Sequence, residues 1–312
     1  MKLHQLRYLC EIARRGLSFS GAADALHTSQ PGISKQIRLL EQELGVDLFI
    51  RSGNRILEMT EPARRIVEIA NGIMSDLDGV KAVAREFREG DTGRLTIAAT
   101  FTLARYILPA VLKRFVARYP KVEVNLLQDS PLRSAERASS GEADIALTTR
   151  PAGDFPDLLF LEYRKLPRVL VTPPGHPLLR EKRVTLKSVS LYPLITLGIG
   201  SQGQQRMRDL FARNGLEPRI VFAGVDVDLV KAFVEAGLGV AVLPRIAFEP
   251  KRDPGLRAID VSHLFGPHIG CLAIRRNHYL RGYAFDFIEM MAPDMDRRTV
   301  EKALAAARAE AT

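Results

Sequence analysis

Tryptophan is absent from the 312-residue chain, and cysteine occurs only twice, at Cys10 and Cys271. Each cysteine sits among apolar neighbours, in YLCEIA and IGCLAI. Two distant thiols give neither a disulfide framework nor a CxxC metal spacing, so buried free thiols are expected. The six histidines are scattered, with no HxxxH or HExxH arrangement. No Ser-His-Asp ordering or phosphate loop is legible, so no enzyme, cofactor or metal centre is expected. No apolar run approaches a membrane span. The first residues, MKLHQLRYLCEIARRG, lack the long apolar core of a leader, which predicts a cytoplasmic protein with no membrane partner.

The chain does have length and positive charge. At 312 residues it should form two or three domains. A net charge of +9 favours a polyanionic partner. The first 60 residues hold eight Lys/Arg against six Asp/Glu, so charge alone does not locate a nucleic-acid site.

Hydrophobic spacing organises the N-terminus. Leu3, Leu6, Leu9, Ile12 and Ala13 predict a helix stopped by Gly16. A second short helix should start near Ser20 as N-cap, with Ala22, Ala23 and Leu26 inward. In TSQPGISKQIRLLEQELG, Ser29 can cap a third helix and Pro31 suits its first turn. Ile33, Ile37, Leu40 and Leu44 make one apolar stripe, and Gly45 ends the helix. Pro31, Lys35 and Arg38 lie opposite that stripe, with Ser34 beside it.

Three short helices with a tight turn before the third describe a helix-turn-helix, whose third helix enters the major groove. Gln30 can read a base edge, and Ser34 can serve base or phosphate. Lys35 and Arg38 can neutralise phosphate, while Pro31 and Gly32 keep that end slim. A strand over 48–51, a turn at 52–54 and a strand over 55–59 predict a wing, from which Arg51 and Arg55 could reach DNA. A plain three-helix domain with a solvated charged face and an ordinary hairpin is the alternative.

The segment SFSGAADALHTSQPGISKQIRLLEQELGVDLFIRSG resembles the DNA-binding domain of LysR-type transcriptional regulators. The resemblance implies that Gln30, Pro31, Ser34 and Lys35 lie on a recognition helix and Arg51 on the wing.

From about Pro62 to Glu89, Ile66, Ala70, Ile73, Leu77, Val80, Ala84 and Phe87 follow a 4-3 heptad seam. Such a seam suits a partner helix, either a second copy or another part of this chain. A dimer through it would present two helix-turn-helix units to double-stranded DNA with an interrupted palindrome.

GDTGR at 90–94 marks a boundary. Beyond it strands and helices alternate, as in a parallel sheet. Strands are expected over 95–99, 122–128, 144–148, 169–172, 193–197, 219–225 and 239–243. The strand over 268–275 should return to the first sheet. Pro109 should bend or split the helix over 102–118. Two α/β lobes with a cleft follow, and ligands bind at the C-terminal ends of such strands. The candidate residues are Thr100, Phe101 and Thr102 after the first strand, Thr149 after the third, Gln202 and Gly203 in the Gly-rich second-lobe turn, and Asp226 before the next helix. Thr100, Thr102 and Asp226 also read as plain N-caps, and the Gly-rich segment as a plain turn.

TFTLARYILPAVLKRF, SGEADIALTT, GLEPRIVF, DVDLVKAFVEAGLGVAVLP and LRGYAFDFIEMMAP are similar to the CysB-like, sulfur-assimilation branch of the same family. That resemblance implies a periplasmic-binding-protein-like effector domain, a homo-oligomer that is usually a tetramer, and a small anionic effector such as sulfate or an acetylserine. It implies that Thr100, Thr102 and Thr149 bind the anion. RNA polymerase is a further candidate partner. Leu103 stands where the branch usually has Gln, and Gln202 where it usually has Thr, which leaves the effector's identity open. Glu61-Pro62-Ala63 replaces Pro-Ala-Gly at the entry to the long helix.

The expected fold is α/β: a winged helix-turn-helix (1–60), a linker and dimerisation helix (61–90), and a two-lobed effector domain (91–312). Lobe I covers about 91–163 plus 268–295, and lobe II about 164–267. The function expected is a LysR-type regulator that senses a small anion and controls sulfur assimilation or cysteine biosynthesis. The alternatives are a regulator of the same fold for a non-sulfur metabolite, or a solute-binding protein.

Overall fold

The computed structural model describes residues 1–309 except 53, 54, 90, 91, 152, 199–201 and 225. The chain folds into two compact units, residues 1–90 with 277–279, and residues 91–276 with 280–312.

The first unit begins with helices α1 (Leu3–Arg14), α2 (Phe19–Ala25) and α3 (Gln30–Leu44). The N-cap of α2 is Ser18, not Ser20: its Oγ accepts the Gly21 N–H at 3.0 Å. Ser29 caps α3 by accepting the Gly32 N–H. A Cβ on Gly32 would sit 2.9 Å from that hydroxyl, so a larger residue there would make the serine side chain shift. Gly45 closes α3 at φ 69°, in the left-handed region that favours glycine. Leu6, Leu9, Ile12, Ile33, Ile37 and Leu40 form the buried core. Leu44, expected on the stripe, lies in the last turn of α3 and is exposed. The hairpin β1 (Phe49–Ser52) and β2 (Arg55–Met59) follows, antiparallel; the expected turn at 53–54 lies outside the described residues.

Helix α4 runs from Glu61 to Glu89. Ala63 and Ala70 are buried in the core of this unit, and Ile66 and Ile73 pack against it. Further along, Val80 is 68% exposed. The first half of the seam therefore serves its own unit. The Phe87 side chain lies outside the described residues.

The second unit starts with β3 (Gly93–Thr100), α5 (Phe101–Tyr106), α6 (Leu108–Arg118), β4 (Val122–Asp129), α7 (Pro131–Ser139) and β5 (Ile145–Thr149). Pro109 does divide the expected helix, since it cannot donate to the preceding turn. Next come β6 (Leu158–Leu166), β7 (Arg168–Thr172), α8 (Leu186–Ser190), β8 (Leu194–Leu197), α9 (Gln202–Arg213), β9 (Ile220–Gly224), α10 (Val227–Glu235) and β10 (Val240–Pro244). The chain closes with β11 (Arg257–Asp260), α11 (Ser262–Phe265), β12 (His268–Arg275), α12 (Gly282–Met291) and α13 (Arg297–Ala309).

These strands make two five-stranded sheets, ordered β4-β3-β5-β12-β6 and β11-β7-β10-β8-β9. Strand β12 returns to the first sheet, as its sequence suggested. Strand β6 was not expected. It pairs with β12 as far as Leu166, so the first crossover between lobes falls at Pro167 rather than near 163. The second crossover ends at Pro267, immediately before β12. Lobe I packs aromatic rings edge to face, Phe115 on Tyr283 and on Phe287. In lobe II, Val171, Ile195, Val230 and Leu243 fill one core and Phe211 anchors the other.

Candidate functional site

The apolar stripe of α3 faces its core, so the opposite side is left to solvent. Gln30, Pro31, Lys35 and Arg38 are exposed and Ser34 is half-buried. Gln30 Nε2 donates to Ser34 Oγ at 3.2 Å, one turn on. Two groups able to bond a base edge thus lie together on a slim, polar helix start, with two cations behind them.

The wing is tied to α3. Glu41 is buried and accepts Arg51 Nη2 with both oxygens, at 2.9 and 3.1 Å. Glu41 also accepts the Leu48 N–H at 3.0 Å. Arg51 in this arrangement holds the hairpin against the helix. The Arg55 side chain lies outside the described residues.

In lobe I, β3 lies parallel between β4 and β5, with Ala99 opposite Leu147. This register puts Thr100 and Thr149 at neighbouring C-terminal strand ends. Thr100 is the N-cap of α5 by backbone geometry, yet its side chain makes no capping bond. Thr100, Phe101, Thr102 and Thr149 are all half-buried. None of the three hydroxyls bonds another described residue, whereas the neighbouring Thr148 hydroxyl is used, donating to the Thr149 carbonyl at 2.8 Å. With only six residues, α5 contributes little dipole at this edge.

In lobe II, Gly203 lies in the first turn of α9 and is half-buried. The Gln202 side chain and the loop 199–201 lie outside the described residues. Asp226 takes the N-cap role that its sequence also offered. Its Oδ1 accepts the N–H groups of Asp228 and Leu229 at 2.8 and 3.0 Å, so it caps α10. Two surface cavities, of about 530 and 240 Å³, lie elsewhere: one beside Arg245, Phe248 and Arg257, the other beside Arg150, Phe155 and Phe160.

A polar cluster between the lobes was not legible in the sequence. Tyr106, ending α5 in lobe I, donates to Asp228 Oδ1 at 2.7 Å and accepts Lys231 Nζ at 2.9 Å. Arg105 pairs with Asp228 at 2.6 Å. Lys231, buried in α10, also reaches Asp253 at 2.9 Å and the Ala247 carbonyl. Burial alone would pull the Lys231 ammonium down, but bonds to Tyr106, Asp253 and Asp228 offset it and the net shift is upward. Burial pushes Asp228 up, yet bonds from Tyr106 and Lys231 hold it below the usual carboxylate range. The one sequence signal was a lysine three residues after an aspartate on an otherwise apolar helix face.

Comparison with known proteins decides the family. Residues 3–64 match the bacterial regulatory helix-turn-helix protein, lysR family, and residues 88–296 match the LysR substrate binding domain. The chain belongs to the LysR family. It is 42% identical over 304 residues to the HTH-type transcriptional regulator CysB of Burkholderia cenocepacia, covering 97% of each chain. It is 37% identical over 300 residues to the regulator SsuR of the same organism, covering 96% of this chain and 97% of that one. The cofactor-binding domain of the Cbl transcriptional regulator superposes with a TM-score of 0.64 at 33% identity, over 68% of this chain and 93% of that one. The LysR relatives are transcriptional regulators and not enzymes, and this chain is a LysR-type transcriptional regulator with a helix-turn-helix and a two-sheet effector domain. No helix among the described residues is long and apolar enough to cross a membrane.

Proposed function

We propose that the chain is a cytoplasmic regulator that grips double-stranded DNA through paired α3 helices and senses a small anionic metabolite of sulfur assimilation. The unspent hydroxyls of Thr100 and Thr149 at neighbouring strand ends, with that of Thr102 in the first turn of α5, carry the effector reading. They can donate to an oxyanion, with Phe101 beside them and Gln202 and Gly203 contributed by lobe II; Asp226 serves as the α10 cap. The similarity to CysB and SsuR supports a sulfur metabolite, such as sulfate or an acetylserine.

On the DNA side, Gln30 and Ser34 read bases while Pro31 allows close approach. Lys35 and Arg38 hold phosphates, and Arg51 and Arg55 serve the wing. The exposed Val80 supports a second copy packing along the later part of α4, which would set two half-sites of an interrupted palindrome. A tetramer built on such dimers, contacting RNA polymerase, is the assembly this reading favours. An effector shifts such an assembly only by binding one arrangement better than another.

One observation favours a second reading, a non-sulfur effector on the same fold. Leu103, at a position where a donor would help, is buried in the lobe I core and cannot reach the cleft. Thermal stability measured with sulfate, thiosulfate, acetylserines and adenylyl sulfate tests both readings. A rise with any of them that Thr100→Val abolishes supports the first, and no rise with any supports the second. Gln30→Ala should weaken binding to the operator by about 1–3 kcal/mol more than to random DNA. Equal losses would argue against base reading at Gln30.

A further inference from the structure

Arg168 opens β7 immediately after the first crossover, and His268 opens β12 immediately after the second. The two residues are 100 positions apart, yet Arg168 Nη1 donates to His268 Nδ1 at 3.2 Å. Arg168 is only 7% exposed, and its buried Nε has no hydrogen-bond partner. No carboxylate lies within ion-pair range of it among the described residues. A guanidinium in such surroundings is costly unless an anion completes it.

The histidine does not supply that anion. Burial, then the charges of Arg168 and Arg206, push His268 down to about 3, so the ring is neutral. Its Nδ1 accepts from Arg168, which assigns the remaining proton to Nε2 and makes that atom a second donor. Burial pulls Arg168 down to about 10, which leaves it charged at neutral pH.

Register places both residues at the cleft. Gly270 pairs with Thr149, and His268 lies two residues further along β12, beyond the C-terminal end of β5 and on the same face as Gly270. Arg168 pairs with Pro244, the last residue of β10, so it lies at the corresponding edge of lobe II.

We propose that Arg168 and His268 form a second anion-recognition point, at the junction of the lobes, for the carboxylate or sulfate group of a ligand in the cleft. The inference builds on the proposed effector cleft but not on its threonines. An anion here would bridge two residues that belong to different lobes, so its binding would fix the lobes' separation.

The test is calorimetric titration of the full-length protein with sodium sulfate, and separately with succinate, at constant ionic strength in chloride. Arg168→Met should lose about tenfold or more in affinity for the preferred anion, as expected for a charge-assisted bond. Unchanged affinity and stoichiometry in that variant would overturn the proposal, as would failure of both anions to bind the parent protein. Thr100→Val separates the two readings. Loss in Thr100→Val alone sinks this inference and keeps the threonine site; loss in Arg168→Met alone does the reverse. Should Arg168→Met not fold, nitrogen-15 histidine spectra of the parent protein decide. The His268 Nε2 resonance, identified by its absence in His268→Gln, moves at saturating anion if the proposal is right and stays if it is wrong.

Discussion

Lys35 and Arg38 stand in solvent on α3, whereas Lys231 and Arg168 are buried at the junction of the two lobes. The same charge does different work in the two places. An exposed cation costs nothing to keep and acts at a distance through a screened field, which suits a long polyanion. A buried cation must be completed. Lys231 is completed by two aspartates and a tyrosine, and Arg168, among the described residues, by a neutral histidine alone. The difference shows which cations are finished within the fold and which still call for a ligand.

The strongest way to break this comparison is to remove the completed one. Lys231→Met strands Asp253 in a half-buried position and frees Tyr106, and should cost about 3 kcal/mol in chemical denaturation. A loss below about 1 kcal/mol would mean that the inter-lobe cluster is only a surface contact. Next in size is the pH response. The unfolded His268 ring takes a proton near pH 6.5, but the folded ring resists until about 3. Between those values the unfolded state binds more protons, so stability should fall as pH falls, by at most about 1.4 kcal/mol per unit. His268→Gln should flatten the denaturation midpoint over that window. Asp228 acts in the same direction but lower, its contribution being lost as acid protonates it below the usual carboxylate range.

The exposed cations give smaller effects. Lys35→Gln should leave stability intact and reduce the slope of log affinity against log salt by about 1, measured on any duplex. An unchanged slope would remove Lys35 from the phosphate contacts. Arg38→Gln should change folding stability by less than about 0.5 kcal/mol. A larger change would show that Arg38 packs rather than solvates.

What could be read in advance follows the same division. The α3 stripe was legible because one face is buried and one is wet, and Ile33, Ile37 and Leu40 keep that period. The parallel strands β3 and β5 were legible because burial on both faces makes them continuous apolar runs. Strands β6 and β11 escaped because both sit at sheet edges, where LLFLEYRKL and RAID mix charge with apolar residues. Ser18 and Ser20 can both cap by residue type, and only the bond from the Gly21 N–H to Ser18 shows which one does. Asp226 read chiefly as a cap, because carboxylates suit a helix start, and its bonds to the Asp228 and Leu229 N–H groups show that role. Arg168 and His268 left no local pattern, because each is set beside the other by a crossover and not by its neighbours in the chain.

Strand β12 sits fourth in the order β4-β3-β5-β12-β6, inside the first sheet, although it is the last strand to be made. During synthesis the sheet of lobe I must therefore wait with an open seam between β5 and β6 until residue 275 has left the ribosome. The helix-turn-helix, with Ala63 and Ala70 of α4 completing its core, and all of lobe II emerge before that seam can close. A nascent chain stalled before His268 would carry a folded DNA-reading head and no working sensor.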